Sequence, residues 1–247
     1  IKPLISAREF LNGEKRWCLW LVDIEPSKLK SLPHVLERVK KVKEMREASK
    51  DAGARKLATR PTQFRDGNNP SSFIAIPCHS SENRTYIPMG FFDKNSIVSN
   101  SCQSIPNASL YHFGIVTSMM HMAWVKSVCG RLESRFRYSK DIVYNNFPWP
   151  ESPTPKQIKA IEQAAQKVLD ARAAFPGSSL AVLYDPLSMP PILVKAHNEL
   201  DKAVDNAYRA QPFVNEANRM VFLFELYERY VGGMFVSEKK GKTRKVK

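Results

Sequence analysis

Long apolar stretches are missing from this 247-residue chain. The longest, WCLWLV at 17–22, falls far short of the roughly 20 residues a membrane-spanning helix needs. The N-terminus has no continuous apolar core, so no signal peptide is read there. It opens on Ile1 rather than Met, which is read as a fragment of a longer polypeptide. Cysteine is scarce: Cys18, Cys78, Cys102 and Cys129 form no CxxC pair and stand at no metal spacing with a histidine. The expectation is reduced thiols in a cytoplasmic protein, without disulfide or metal.

Catalytic signatures are missing as well. The five histidines, at 34, 79, 112, 121 and 197, are scattered, and there is no HExxH, GxSxG, GxGxxG or GxxxxGK[ST]. His121, inside MMHMAW, reads as a core histidine of an apolar helix. NNFPWP at 145–150 has the residue types of an amino-methyltransferase loop, but Phe147 separates asparagine from proline, so it reads as turn chemistry and anchoring. Glu238-Lys239-Lys240 has nuclease-like spacing inside a basic tail and reads as chance. No catalytic residue is expected in this chain.

Acidic residues are outnumbered, 24 against 38 Lys and Arg, for a net charge of +14. The excess is uneven. Residues 1–149 hold 23 basic and 13 acidic residues, or +10. Residues 150–238 hold 9 and 11, or −2, and the tail from Lys239 to Lys247 adds six basic residues. A basic folded body fits a polyanionic partner, because neutralising phosphates releases counterions; ordinary solubility charge is the alternative.

The chain changes character at FPWPESPTP, 147–155, where four prolines in nine residues make a stiff connector. Before it the pattern is mixed. WCLWLVDI (17–24), FIAIPC (73–78) and RTYIPM (84–89) read as strands, PHVLERVKKVKEMREASK (33–50) as an amphipathic helix, and YHFGIVTSMMHMAWVKSVC (111–129) as one buried helix. After it, apolar residues at helical spacing mark three helices: Ile158 to Leu169, Leu193 to Tyr208, and about Asn215 to Val231. The expectation is an α+β domain over 1–149, a helical domain over 150–236 that props it, and a disordered basic tail over 237–247.

GRLESRFRYS, 130–139, alternates with period two. Arg131, Glu133, Arg135 and Arg137 form one set; Leu132, Ser134, Phe136 and Tyr138 form the other. Read as one strand, it has a charged face and a mostly apolar face. The charged face has two readings. It is a solvated face with exposed ion pairs worth roughly 0–1 kcal/mol. Or it meets base edges, where arginine donates to guanine O6 and N7 and a carboxylate accepts from cytosine N4.

Four stretches carry a resemblance: EFLNGEKRWCLWL (9–21), SSENRTYIPMGF (80–91), HMAWVKSVCGRLESRFRYSKDIVYNNFPWP (121–150) and LYDPLSMPPILVKAHNELDKAVDNAY (183–208). In this order and spacing they resemble the C-terminal half of MmeI-like type IIL restriction–modification enzymes. The resemblance covers residues 1 to about 231. It implies a DNA target recognition domain and a C-terminal helical domain. In the parent chain it implies an upstream adenine-N6 methyltransferase using S-adenosylmethionine, and an endonuclease using Mg. Family members vary within GRLxSxxRYS at the positions flanking the serine. Glu and Arg there go with cytosine at the outermost 3′ position; Lys and Asp go with guanine. The resemblance therefore implies that Glu133 and Arg135 read cytosine and that Arg137 reads or supports another pair. Arg131, Tyr138, Ser139 and Lys140 are expected to contact the DNA backbone or support the readers. The implied partners are duplex DNA and the upstream methyltransferase domain. The competing reading is an RNA-binding or protein-interaction module.

Overall fold

The structure, a computed structural model, describes residues 1–67 and 69–236. The basic tail expected over 237–247 lies outside the described residues. The order of elements follows the composition. Three small sheets occupy the first part, and residues 155–236 are helical with short connections.

FIAIP is apolar without alternation, which suits a strand covered on both faces. It forms the central strand Ser72–Pro77, paired antiparallel with Gly90–Asp93 on one side and Cys102–Pro106 on the other. Residues Phe73 to Pro77 are all buried. A second sheet centres on Lys2–Ile5, antiparallel to Trp17–Cys18 and parallel to Ile97–Val98. The third contains His79–Ser80, Arg135–Arg137 and Gly130–Leu132, with the Arg135–Arg137 strand in the middle.

Helices Pro26–Lys30, Pro33–Glu47 and Ala52–Lys56 project between the first two sheets in sequence. Residues 26–66 hold 12 basic and 5 acidic residues, so this segment carries +7 of the charge of the first part. Many of its arginines are tied down. Arg46 donates to the carbonyls of Leu57, Arg60 and Gln63 at 2.8–3.0 Å and fastens the following loop.

Several local expectations are corrected. Only Trp17–Cys18 of the 17–24 run is a strand, and Trp17 is 60% exposed, so it is not a buried strand. RTYIPM is an extended loop, not a strand. Its Tyr86, Ile87 and Met89 enter the core while Pro88 cannot donate to a ladder. The 111–129 helix is two, Leu110–Val116 and Met119–Val128. The break falls at Thr117-Ser118, where Thr117 bonds back to the Phe113 carbonyl at 2.7 Å and Ser118 caps the second helix.

The helical part contains Pro155–Ala173, a short turn Leu180–Leu183, Pro191–Tyr208 and Glu216–Val236. Thr154 starts the first of these as a capping box with Gln157, followed by Pro155 at the first helical position. One apolar core runs through both parts, from Ile74 and Phe113 to Ile161, Leu200 and Leu223. FPWP is packed into it: the Pro148 and Trp149 carbonyls accept hydrogen bonds from Tyr208 and Tyr230, each at 2.9 Å. Buried polar ties cross the same seam. Asp201 accepts from the Tyr86 hydroxyl and the Met119 amide, both at 2.7 Å. Arg172 donates to the Met89 carbonyl at 2.6 Å.

Candidate nucleic-acid interface

GRLESRFRYS is a hairpin, not one strand. Gly130–Leu132 and Arg135–Arg137 pair antiparallel around a two-residue turn, Glu133-Ser134, with Leu132 opposite Arg135. This corrects the expected charged face, for a geometric reason. Residues directly opposite in an antiparallel pair share a face. A two-residue turn therefore inverts the odd–even count between its arms. Leu132, Arg135, Arg137 and the adjoining His79 fall on one face; Arg131, Phe136 and Ser80 fall on the other.

The inner face anchors the hairpin. Phe136 is 2% exposed, and the Arg131 guanidinium lies 4.1 Å from its ring centroid. Arg131 also donates to the Ser134 carbonyl at 3.1 Å, which closes the turn from below. Tyr138 is buried, and its hydroxyl meets His121 Nε2 at 2.9 Å. It supports from inside and has no access to a phosphate. His121 is the core histidine expected: it has no exposed surface, and burial pulls its pKa down to about 3.

The outer edge carries the charge. Glu133 occupies the first turn position at φ +57, an unusual region for a residue with a β-carbon. Its Oε2 accepts from Arg135 Nη2 at 2.6 Å, with the two side chains 74% and 49% exposed. The structure thus brings the two expected reading residues together at an exposed tip. Arg137 is exposed one step further from the turn. Ser139 is half-buried, and Lys140 opens a single π-helical turn, Lys140–Tyr144, beside a polar cleft of about 480 Å³ that also meets Asn100 and Gln103.

Glu82 was missed by sequence reasoning. It follows the edge strand His79–Ser80, whose Ser80 stands opposite Phe136, so the chain leaves the sheet alongside the hairpin turn. The Ser134 hydroxyl, with Arg131 and Arg135 nearby, holds the Glu82 carboxyl below the usual carboxylate range. No motif marks it: a polar SSEN between two apolar runs reads as any loop. Among the described residues, no three His, Cys, Asp or Glu side chains converge as a metal site. No described helix is long and apolar enough to cross a membrane.

This layout is a small α+β body that presents a charged hairpin and shares its core with a helical part. The chain belongs to the MmeI family: the family model of the MmeI target recognition domain matches residues 1–151, and that of the MmeI C-terminal domain matches residues 153–235. A solved structure of the type IIL restriction–modification enzyme MmeI in complex with DNA is 46% identical, with a TM-score of 0.90, over 94% of this chain and 31% of that one. DNA methyltransferase A of Bacillus subtilis (strain 168) is 43% identical over 228 residues, which is 92% of this chain and 26% of the relative. The chain spans about a quarter to a third of the proteins it matches.

Proposed function

We propose that this chain is the target-reading portion of a restriction–modification protein and that its hairpin tip reads one C·G pair in the major groove. The observation that carries the reading is the exposed Glu133–Arg135 pair at a two-residue turn. A carboxylate on a basic surface is repelled by phosphates, so it belongs where a base offers a donor. Glu133 accepts from cytosine N4 while Arg135 donates to O6 and N7 of the paired guanine. Separating an exposed ion pair costs roughly 0–1 kcal/mol, against roughly 1–3 kcal/mol of discrimination from a good base contact. The exchange favours reading. Arg137, on the same face as Arg135, reads or supports a neighbouring pair, and Lys140 contacts the backbone.

The rings of the hairpin are turned inward: Phe136 and Tyr138 are both buried. Stacking on splayed single-stranded bases needs exposed rings, so this surface suits duplex grooves better than RNA loops. The adenine-N6 methyl transfer from S-adenosylmethionine, and Mg-dependent cleavage where an endonuclease is present, fall to other parts of the parent protein. This chain sets which adenine is presented.

The test is a paired charge exchange, Glu133→Lys with Arg135→Asp, in the parent protein. Methylated adenines are then mapped in DNA modified by each form. The exchange moves the donor to where the acceptor stood, so the site changes from C to G at one position and nowhere else. Single replacements weaken modification without a clean switch. Retention of the cytosine preference by the double variant overturns the reading.

A further inference from the structure

We propose that the notch between the 81–84 loop and the 185–187 turn holds one backbone phosphate of the bound duplex, gripped by Arg84. The proposal rests on the DNA-reading role above and adds a positioning residue and a task for the helical part.

The notch measures about 460 Å³ and is lined by Ser81, Asn83, Arg84, Asp185, Pro186 and Leu187. Its polar wall belongs to the loop that carries Glu82. The strand before that loop pairs with the hairpin, Ser80 opposite Phe136, so the loop leaves the sheet beside the reading tip. Its other wall belongs to the helical part. There the Leu187 amide donates to Asp185 Oδ1 and the Met189 amide to the Asp185 carbonyl, each at 2.9 Å. This fixes a tight turn that leaves Leu187 97% exposed on the far wall of the notch.

Arg84 is half-buried and poorly satisfied. Its one side-chain hydrogen bond among the described residues runs to Ser80 Oγ at 3.4 Å, and no described carboxylate lies within ion-pair distance. Burial disfavours its charge, and Asp185 offsets part of that cost from farther away. A half-buried guanidinium with unspent donors calls for an anion. Its planar fork fits two phosphate oxygens. The Asn83 amide and the Ser81 hydroxyl add neutral donors at the mouth; the Ser81 oxygen accepts from the Asn83 backbone at 3.2 Å, which leaves its own proton free. DNA brings a phosphate beside every base it presents, so a reader on the adjoining strand brings the backbone toward the notch. Asp185 keeps the grip below its maximum and discourages loose anions in the free protein.

The experiment compares wild type, Arg84→Gln, Arg84→Lys and Asp185→Asn. Each is titrated, over a salt series, with the duplex that wild type selects from a random pool and with a scrambled duplex. Arg84→Gln should weaken both about tenfold, the scale of one charge-assisted contact. It should flatten the slope of log K against log salt by about 0.9. Arg84→Lys should restore the slope but not the full affinity, because an ammonium loses the bidentate geometry. Asp185→Asn should tighten both duplexes. In a methylphosphonate scan, one neutralised phosphate should reproduce the Arg84→Gln loss and add nothing to that variant. An unchanged slope in Arg84→Gln, an altered sequence preference, or additive losses across the whole scan overturn the notch. Absence of duplex binding by wild type defeats the DNA-reading role itself, while normal binding by Arg84→Gln defeats the notch alone.

Discussion

Glu133 does two jobs that conflict. As a turn residue it sits at φ +57, where a β-carbon crowds the backbone at a cost of roughly 1–2 kcal/mol. As a side chain it supplies the carboxylate that Arg135 holds at 2.6 Å. Hairpins of this length favour glycine or asparagine at such positions. Glu133→Gly should therefore stabilise the fold, by about 0.5–1 kcal/mol after the extra freedom glycine gains in the unfolded chain. The same change should erase discrimination at the cytosine position. Chemical denaturation checks the first half and binding to duplexes differing at that one pair checks the second. If Glu133→Gly destabilises the protein, the turn geometry is not strained and this account of it is wrong.

At the scale of elements, the packing of Leu110–Val116 against Pro155–Ala173 joins the two parts at one close approach. A β-carbon built on Gly114 would stand 2.5 Å from Ile161 Cγ2 and 3.2 Å from Leu200 Cδ1. Helix propensity alone favours alanine over glycine by about 1 kcal/mol. Overpacking a filled core costs roughly 1–3 kcal/mol, and a 2.5 Å contact lies at the severe end, so packing wins. Gly114→Ala should lower stability, and an Ile161→Ala background should cancel or reverse that loss; melting the four proteins of this cycle is the check. The sequence showed the surrounding elements well where the signal was long. The three C-terminal helices and the Ser72–Pro77 strand stand where the apolar spacing puts them. It failed where structure turns on one or two residues. Nothing in Glu133-Ser134 resembles a turn, since neither glycine nor asparagine is present, and so ten alternating residues passed for one strand. Thr117-Ser118 broke a helix through hydroxyl bonding, which periodicity does not register. Glu133 and Arg135 stand out in the sequence through the family resemblance, while the turn that brings them together was not legible. Glu82 carries no such mark: it enters only because the short strand before it pairs with the distant hairpin.

Across the whole molecule, buried titratable groups along the shared core set how stability changes with acid. Asp201 ties Tyr86 and Met119 of the first part to the helical part, and burial pushes its pKa up to about 6. Nearby, Arg219 is paired with Asp205 at 2.6 Å. His121 and His197 are fully buried, and burial holds both well below the usual histidine range. As pH falls the unfolded histidines take up protons that burial makes the native ones resist, so both lower stability. Asp201 acts in the opposite sense. Its raised pKa lets the native state take a proton that the unfolded carboxylate, with an ordinary pKa near 4, does not yet hold. Stability should therefore fall as pH is lowered from 6 toward 5, with Asp201 making the fall shallower than the histidines alone would. Asp201→Asn removes the opposing proton while keeping an acceptor for the Met119 amide. Its slope should be steeper than that of wild type, by up to about 1.4 kcal/mol per unit in the same window. Urea unfolding followed by tryptophan fluorescence between pH 4.8 and 6 measures both slopes. Equal slopes in the two proteins would mean that Asp201 is ionised in the native state at pH 5, and that the seam between the two parts is wetter than its packing implies.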